Sequence, residues 1–315
     1  MNHITMLRIH RIAAVALSAT LVLVGVGGLV TNTGSALAVP DWPTTFGYNM
    51  FTYPPSQWKG GVLYEHTHRL LGSLVGLLTI ALAVAAWRWE GRRWVRWLAT
   101  LAVVGVIAQG VIGGLRVVLL QHSLAIVHGC VAQAFLGLLA FLWAVTSPSW
   151  HRHGAGDTAR GTANSGVLVL LFALPLAVYL QIVFGAFLTH RGGLLWFHVG
   201  GAVVVSVLAL GVIGWSLFQH FEEPSIRRPS LLLAGLMTLQ LSLGILAYLW
   251  HFGGMYQRVP FEAGLAVLAF HRITGSLVWV TSLVLAVRFV RMVNLGQSAQ
   301  PASGLAWAVA RRGTG

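Results

Sequence analysis

Long apolar stretches alternate with short polar ones along this chain. A helix needs about 20 apolar residues to cross a bilayer core. Runs of that order lie near 12–30, 66–87, 97–119, 123–146, 166–188, 195–218, 230–250 and 264–290, which predicts eight transmembrane helices. The polar intervals differ in charge. Those after the second, fourth and sixth runs carry Arg88, Arg92, Arg93 and Arg96, then Arg152 and Arg160, then Arg227 and Arg228. Arg8 and Arg11 precede the first run, and Arg288, Arg291, Arg311 and Arg312 close the chain. The alternate intervals hold only Lys59, Arg116, Arg191 and Arg258. Basic residues collect on the cytoplasmic side, so both termini are expected there.

A second periodicity lies on top of the first. The third, fifth and seventh runs share Gln-x-x-x-Gly, from Gln109 to Gly113, Gln181 to Gly185 and Gln240 to Gly244. The even runs open with histidine: His68-Arg69-Leu70-Leu71-Gly72-Ser73, His128-Gly129, His198-Val199-Gly200-Gly201 and His271-Arg272-Ile273-Thr274-Gly275-Ser276. The segment 147–165, with Pro148, His151, His153, Gly154 and Gly156, has the composition of an exposed connection. The expected organisation is an N-terminal four-helix half over 1–150, a cytoplasmic linker over 151–165, a C-terminal half over 166–292 and a loose tail over 293–315. Arg8, Arg11 and Ala36-Leu37-Ala38 imitate a signal peptide and its cleavage site. The apolar run is long for that purpose, and Gly25, Gly27 and Gly28 suit close helix contacts, so a retained first helix is favoured.

Composition agrees. Of 315 residues 57% are hydrophobic and 9% charged, against about 25% charged in soluble domains; the mean hydropathy is +0.77. The chain is therefore an all-α integral membrane protein in contact with lipid. In a soluble protein the net charge of +13 would suggest a nucleic-acid partner. In this chain it follows from loop orientation, and no nucleic acid is expected. Cys130 is the one cysteine, so an intrachain disulfide is excluded.

With both termini inside, every even helix runs inward, and His68, His128, His198 and His271 start at similar depth near the outer face. Ionisable side chains within a membrane are costly and usually face the bundle interior or a cofactor. Two imidazoles on facing helices can lie on opposite sides of a flat macrocycle and ligate its iron. The small residues after each histidine either leave room for a porphyrin or simply pack helices. Arg69 and Arg272 stand where haem propionates would emerge, and a guanidinium pairs well with a carboxylate. Zinc or copper would want three or four clustered ligands, not two separate pairs. Glu65 precedes His68 by three residues, whereas Leu195 and Leu268 hold the matching places before His198 and His271. Half one suits proton handling beside a substrate, unless Glu65 is only a carboxylate at the water boundary; half two suits electron transfer. His66 points elsewhere. His122 and His190 could touch a haem edge. His3, His10, His151, His153 and His220 fall in cytoplasmic segments and His251 in the last outer loop, where most of them are expected to be solvated.

Glu65-His66-Thr67-His68-Arg69 resembles the Glu-x-x-His-Arg motif of the haem A synthase family of cytochrome oxidase assembly enzymes. Gly27-Gly28-Leu29-Val30 through Gly34, then Pro40-Asp41-Trp42-Pro43 and Gly47, resemble that family's first helix and first outer loop. The likeness covers about residues 20–290. It implies eight helices in two pseudo-symmetric four-helix bundles and oxidation of the C8 methyl of haem O to a formyl group. It also implies that His198 and His271 ligate a resident haem b, that His68 and His128, with Arg69, flank the substrate haem, and that Glu65 takes part in catalysis. A haem O synthase and cytochrome oxidase assembly factors are the implied partners, and a bacterial cell membrane the implied location. Many members carry two cysteines flanking Pro-Asp-Trp-Pro, where this chain has Val39 and Thr45. Two other functions compete: a two-haem b-type electron carrier without porphyrin chemistry, and a haem-binding assembly protein. The carrier predicts matched sites, which Glu65 on one half disfavours.

Overall fold

The computed structural model describes residues 3–152 and 165–298. Among the described residues nine α-helices follow one another: α1 (His3–Asn32), α2 (Gly61–Trp89), α3 (Arg93–Leu119), α4 (His122–Val145), the short α5 (Pro148–Arg152), α6 (Ser165–Arg191), α7 (Leu195–Gln219), α8 (Pro224–His251) and α9 (Phe261–Ser298). All but α5 are long and apolar enough to cross a membrane. The expected eight spans are all present, each reaching beyond at least one of its predicted ends. Among the described residues there is no strand, only an isolated bridge between Thr45 and Tyr48.

Hydrocarbon offers a backbone no hydrogen-bond partners, so an apolar run in lipid must satisfy its own amides as a helix. Where hydroxyls occur in these runs they turn back on the helix, as Thr20 does on Ala16 O at 2.7 Å and Thr79 on Val75 O at 2.7 Å. Apart from the loop over 33–60 between α1 and α2, the described connections are short. Gly60, at φ 54°, opens α2, and Leu120, at φ 53°, ends α3. Pro224 stands at the start of α8, whose N-cap Glu223 accepts from Ser225 N.

Consecutive helices pack as antiparallel hairpins, α1 with α2, α3 with α4, α6 with α7 and α8 with α9. Leu82, Leu139 and Leu142 lie in one core, and Leu171, Leu233 and Phe289 in another. Outward faces present Leu77, Ile107, Val169, Leu210 and Phe218, as lipid contact requires. Helix α9 joins the two sets, packing on α1 and α4 as well as on α6 and α8. At that seam the Trp279 indole packs on Gly137, where any Cβ would collide with it, and donates to Gln133 O at 2.9 Å. Gln133 Nε2 in turn donates to Ser276 Oγ at 2.9 Å.

Most of the expected linker, residues 153–164, lies outside the described residues, as does the expected tail from 299 onward. The first residues of that tail, 293–298, continue α9.

Candidate functional site

The four histidines come together as two pairs. The rings of His68 and His128 have centroids 6.4 Å apart at 73°, and those of His198 and His271 are 6.3 Å apart at 74°. Metal–imidazole bonds of about 2 Å put two coordinating nitrogens about 4 Å apart across one metal ion, and the ring centres about 6 Å apart. Both pairs therefore have the separation that one iron between two imidazoles demands. Among the described residues no three His, Cys, Asp or Glu converge as a multi-ligand metal site would need. Two two-histidine sites fit haem and do not fit structural zinc.

A common device positions each ring. In every hairpin a glycine near the end of the first helix faces the histidine near the start of the second. A Cβ on Gly27 would stand 3.0 Å from His68 Cε1, one on Gly113 3.1 Å from that of His128, one on Gly185 3.1 Å from that of His198, and one on Gly244 3.2 Å from that of His271. Each ring thus occupies the space a side chain would fill. It also faces the backbone carbonyl four residues before that glycine: Leu23, Gln109, Gln181 and Gln240 in turn. For His68 and His271 this approach is longer than a formed hydrogen bond, because their Nδ1 atoms have no partner within bonding distance. An imidazole that gives one nitrogen to iron needs an acceptor for the proton on the other, and the helix carbonyl beside each glycine is a group that each ring faces.

Glu65 is neither in a loop nor solvated. It lies in the second turn of α2 and is 4% exposed. Its Oε2 accepts from Val39 N at 2.9 Å and its Oε1 from Arg69 Nη2 at 2.8 Å. Arg69 also donates to three loop carbonyls, Asp41 O at 2.7 Å, Thr44 O at 2.9 Å and Val39 O at 3.1 Å. Its fork is therefore committed to the first outer loop and to Glu65. Within that loop the Asp41 carboxylate accepts from Phe46 N and Gly47 N, both at 2.8 Å, and from the Thr44 hydroxyl. Phe46 and Gly47 take φ of 50° and 77°, and this carboxylate braces that unfavourable bend. The Trp42 indole seats on α3 at Gly114, where only glycine leaves room.

Two arginines stand near the ring pairs. Arg272 lies across Gly28 of α1, its Cδ and Nη1 each 3.2 Å from the position of a Cβ there. Arg116, which sequence reasoning treated as a loop residue, lies on α3 one turn beyond Gly113. It is close enough to His68, His128 and Glu65 for its charge to bear on all three. The places equivalent to Arg116 in the other hairpins are Val30, Leu188 and Ala247. The signal for Arg116 was available: three residues after a ring-facing glycine, a side chain lies on the same helix face.

The remaining histidines divide differently from expectation. His66 is fully buried, with Nδ1 3.3 Å from Thr45 Oγ1 and its ring against Tyr53 and Trp58. It belongs to the packing of the outer loop. His10 stacks on Trp143 and reaches Trp143 O at 3.1 Å, and His220 packs between Trp215 and Phe289, so neither is simply solvated. His251 packs against Phe252. His153 lies outside the described residues, as do the side chains of His3, His122 and His151. Cys130 is a free, half-buried thiol whose backbone oxygen accepts from Tyr179.

The profile of the COX15-CtaA family, described as cytochrome oxidase assembly protein, matches residues 10–198. The chain belongs to that family. Among relatives of the COX15-CtaA chain, the haem A synthase of Shouchella clausii (strain KSM-K16) is 35% identical over 117 residues, 36% of this chain and 38% of that protein. That of Alkalihalophilus pseudofirmus (strain ATCC BAA-2126 / JCM 17055 / OF4) is 28% identical over 167 residues, 52% and 54% of the two chains. That of Halalkalibacterium halodurans (strain ATCC BAA-125 / DSM 18197 / FERM 7344 / JCM 9153 / C-125) is 25% identical over 246 residues, 70% and 80%. The matched segments thus span between about two fifths and four fifths of these relatives' lengths.

Proposed function

We propose that this COX15-CtaA protein is a haem A synthase, an oxidoreductase that converts the C8 methyl of haem O to a formyl group for cytochrome oxidase assembly. One contrast carries the reading. Two imidazole pairs share one separation, 6.4 and 6.3 Å, yet Glu65 and Arg116 accompany the first pair alone. A carrier that only passed electrons would need two like sites. A porphyrin-modifying enzyme needs one site for its resident cofactor and a different one for its substrate. The names of the relatives support the same reading.

In this proposal His198 and His271 hold a resident haem b in half two, where it supplies one-electron redox chemistry. His68 and His128 flank the substrate, haem O, in half one. Arg116 offers its guanidinium to a propionate of the substrate, and Arg272 offers another at the seam of the two halves; both suit carboxylate recognition. Glu65 receives a proton released during oxidation at the C8 methyl. To do so it exchanges its contact with Val39 N for the proton, while Arg69 keeps the carboxylate oriented. The outer loop, fastened through Arg69 and Trp42, covers this site on its water-facing side and keeps bulk water from the reacting carbon.

Orientation belongs to the same proposal. The arginine-rich intervals support a reading with both termini in the cytoplasm of a bacterium and the histidine pairs toward the outer leaflet. A haem O synthase supplies the substrate, and cytochrome oxidase assembly factors take the product.

Expression of the chain in cells that make haem O, followed by extraction of pigments, tests the assignment. Haem A is the expected product. Recovery of only haem b and haem O under aerobic conditions would favour the two-haem carrier.

A further inference from the structure

Besides a glycine, three of the four hairpins bring a carboxamide to the histidine. Gln181 Nε2 donates to His198 O at 2.7 Å and lies 3.2 Å from His198 Nδ1. Gln109, its amide turned as Ala132 N–H requires, accepts from Ala132 N at 2.9 Å and donates to His128 Nδ1 at 2.8 Å and to His128 O at 3.3 Å. Gln240 Nε2 lies 3.4 Å from the Nε2 of the His271 ring. Room for two of these amides comes from α7 and α9. Gln181 Oε1 fills the space of a Cβ on Gly201, and Gln240 Nε2 stands 3.3 Å from that of Gly275. In the fourth hairpin the same place holds Leu23, which brings no carboxamide to His68; the Nδ1 atoms of His68 and His271 are both buried without a hydrogen-bond partner, but the His271 ring has Gln240 at its other nitrogen.

We propose that Gln109, Gln181 and Gln240 are positioning residues for the iron-binding imidazoles, and that Leu23 leaves His68 as the one ligand free to yield. The inference rests on the haem reading above and assigns unequal tasks to its four histidines. A carboxamide has a donor and an acceptor on one flat group, and half a turn exchanges them. As found, it donates to a bare ring nitrogen; turned, its oxygen accepts from that nitrogen once iron holds the other and the proton sits there. Leucine offers neither role. Groups that brace a metal-binding imidazole in this way are worth about 10–100-fold in metal affinity. The distribution matches the two tasks: the half that keeps its haem has both histidines braced, and the half that must take in substrate and give up product has one. His128 is the fixed side of the first site, and His68 the side that opens.

The test uses the full-length protein purified with its haems. Two quantities are read, the low-spin optical and paramagnetic resonance spectra and the rate at which haem passes to an excess of apomyoglobin. Gln181→Leu and Gln240→Leu should change the low-spin signature of the resident haem and speed its loss by about 10–100-fold. Gln181→Glu, which keeps an acceptor beside the ring, should restore much of that signature; a residue that merely filled space would show no such rescue. Leu23→Gln should slow release of haem O from the first site by about 10-fold or more, and slow turnover with it, leaving the resident haem unaffected. Unchanged spectra and release in Gln181→Leu, or unchanged haem O release in Leu23→Gln, overturns the inference. If Gln181→Leu does not fold, Leu23→Gln decides alone. A wild-type protein that takes up no haem removes the functional reading and this inference together. Wild-type protein that holds two haems beside inert variants removes this inference only.

Discussion

Glu65 and Arg69, one helical turn apart on α2, meet at 2.8 Å, and both also hold the backbone of Val39 in the loop above them. The proposed catalytic carboxylate and the fastening of the outer loop are therefore one hydrogen-bonded unit. Glu65→Gln should separate the two roles. The amide keeps an acceptor for Arg69, whose bonds to the loop carbonyls remain, and gives up only the Val39 N–H contact, but it no longer takes a proton. Haem O or a partly oxidised product should accumulate, with haem A formation down by about 100-fold or more. Pigment analysis by liquid chromatography reads this directly. Unchanged haem A yield would clear Glu65 of proton transfer.

Arg69→Ala should act through the loop. It leaves Glu65 buried without its cation and frees three carbonyls, a loss of about 3 kcal/mol. Trp42 should leave Gly114, and limited proteolysis of detergent-solubilised protein should cut within residues 39–58. A loop that stays protected would contradict the fastening role.

The glycine that faces each ring predicts a steric outcome. Gly185→Val places methyl groups where the His198 ring lies, and overpacking of this kind costs about 1–3 kcal/mol. The resident haem should be lost or become high-spin, with helix content by circular dichroism unchanged. Gly110→Val, at a glycine of α3 with nothing within 4 Å, is the control and should leave the spectrum as it was.

The seam between the halves makes a separate prediction. Ser276→Ala removes the acceptor of Gln133 Nε2 inside a buried contact, both residues being at most 5% exposed. An unsatisfied buried amide costs about 1–3 kcal/mol. The midpoint of thermal unfolding should fall, while the absorption spectrum of bound haem stays unchanged.

The outer loop should also respond to acid. Burial opposes ionisation of Asp41, but the Gly47 N–H, the Thr44 hydroxyl and the Phe46 N–H outweigh it and hold the carboxyl below its ordinary value. A carboxyl lowered in the folded state contributes stability above its unfolded value and loses it as pH falls through the folded one. The bend at Phe46 and Gly47 should therefore persist down to about pH 4 and loosen below it. Hydrogen exchange at those two amides reads the transition, and Asp41→Asn should flatten it.

Much of this architecture was legible in the chain, because hydrocarbon leaves an apolar run only one way to satisfy its backbone. All eight spans and the matched histidines followed from periodicity. The pairing of each ring with a glycine did not follow, although both halves of it were visible as separate repeats. Gln-x-x-x-Gly was seen on the odd helices and histidine on the even ones, and only the hairpin register joins them. Arg69 shows the other gap. At a helix start beside histidine it suggested a free guanidinium, yet its partners are carbonyls of residues 39–44, which lie up to 30 positions away and carry no compositional sign. Glu65 was left open for the same reason, since its burial depends on a loop folding back over α2.

Gly27 and Gly28 are neighbours on α1, yet the first faces His68 of its own half and the second faces Arg272, which follows a histidine of the other half. The two sites thus share α1 as a common wall. Bulk added at Gly27 presses on the first site and bulk added at Gly28 on the second, so adjacent positions of one helix probe the two sites separately.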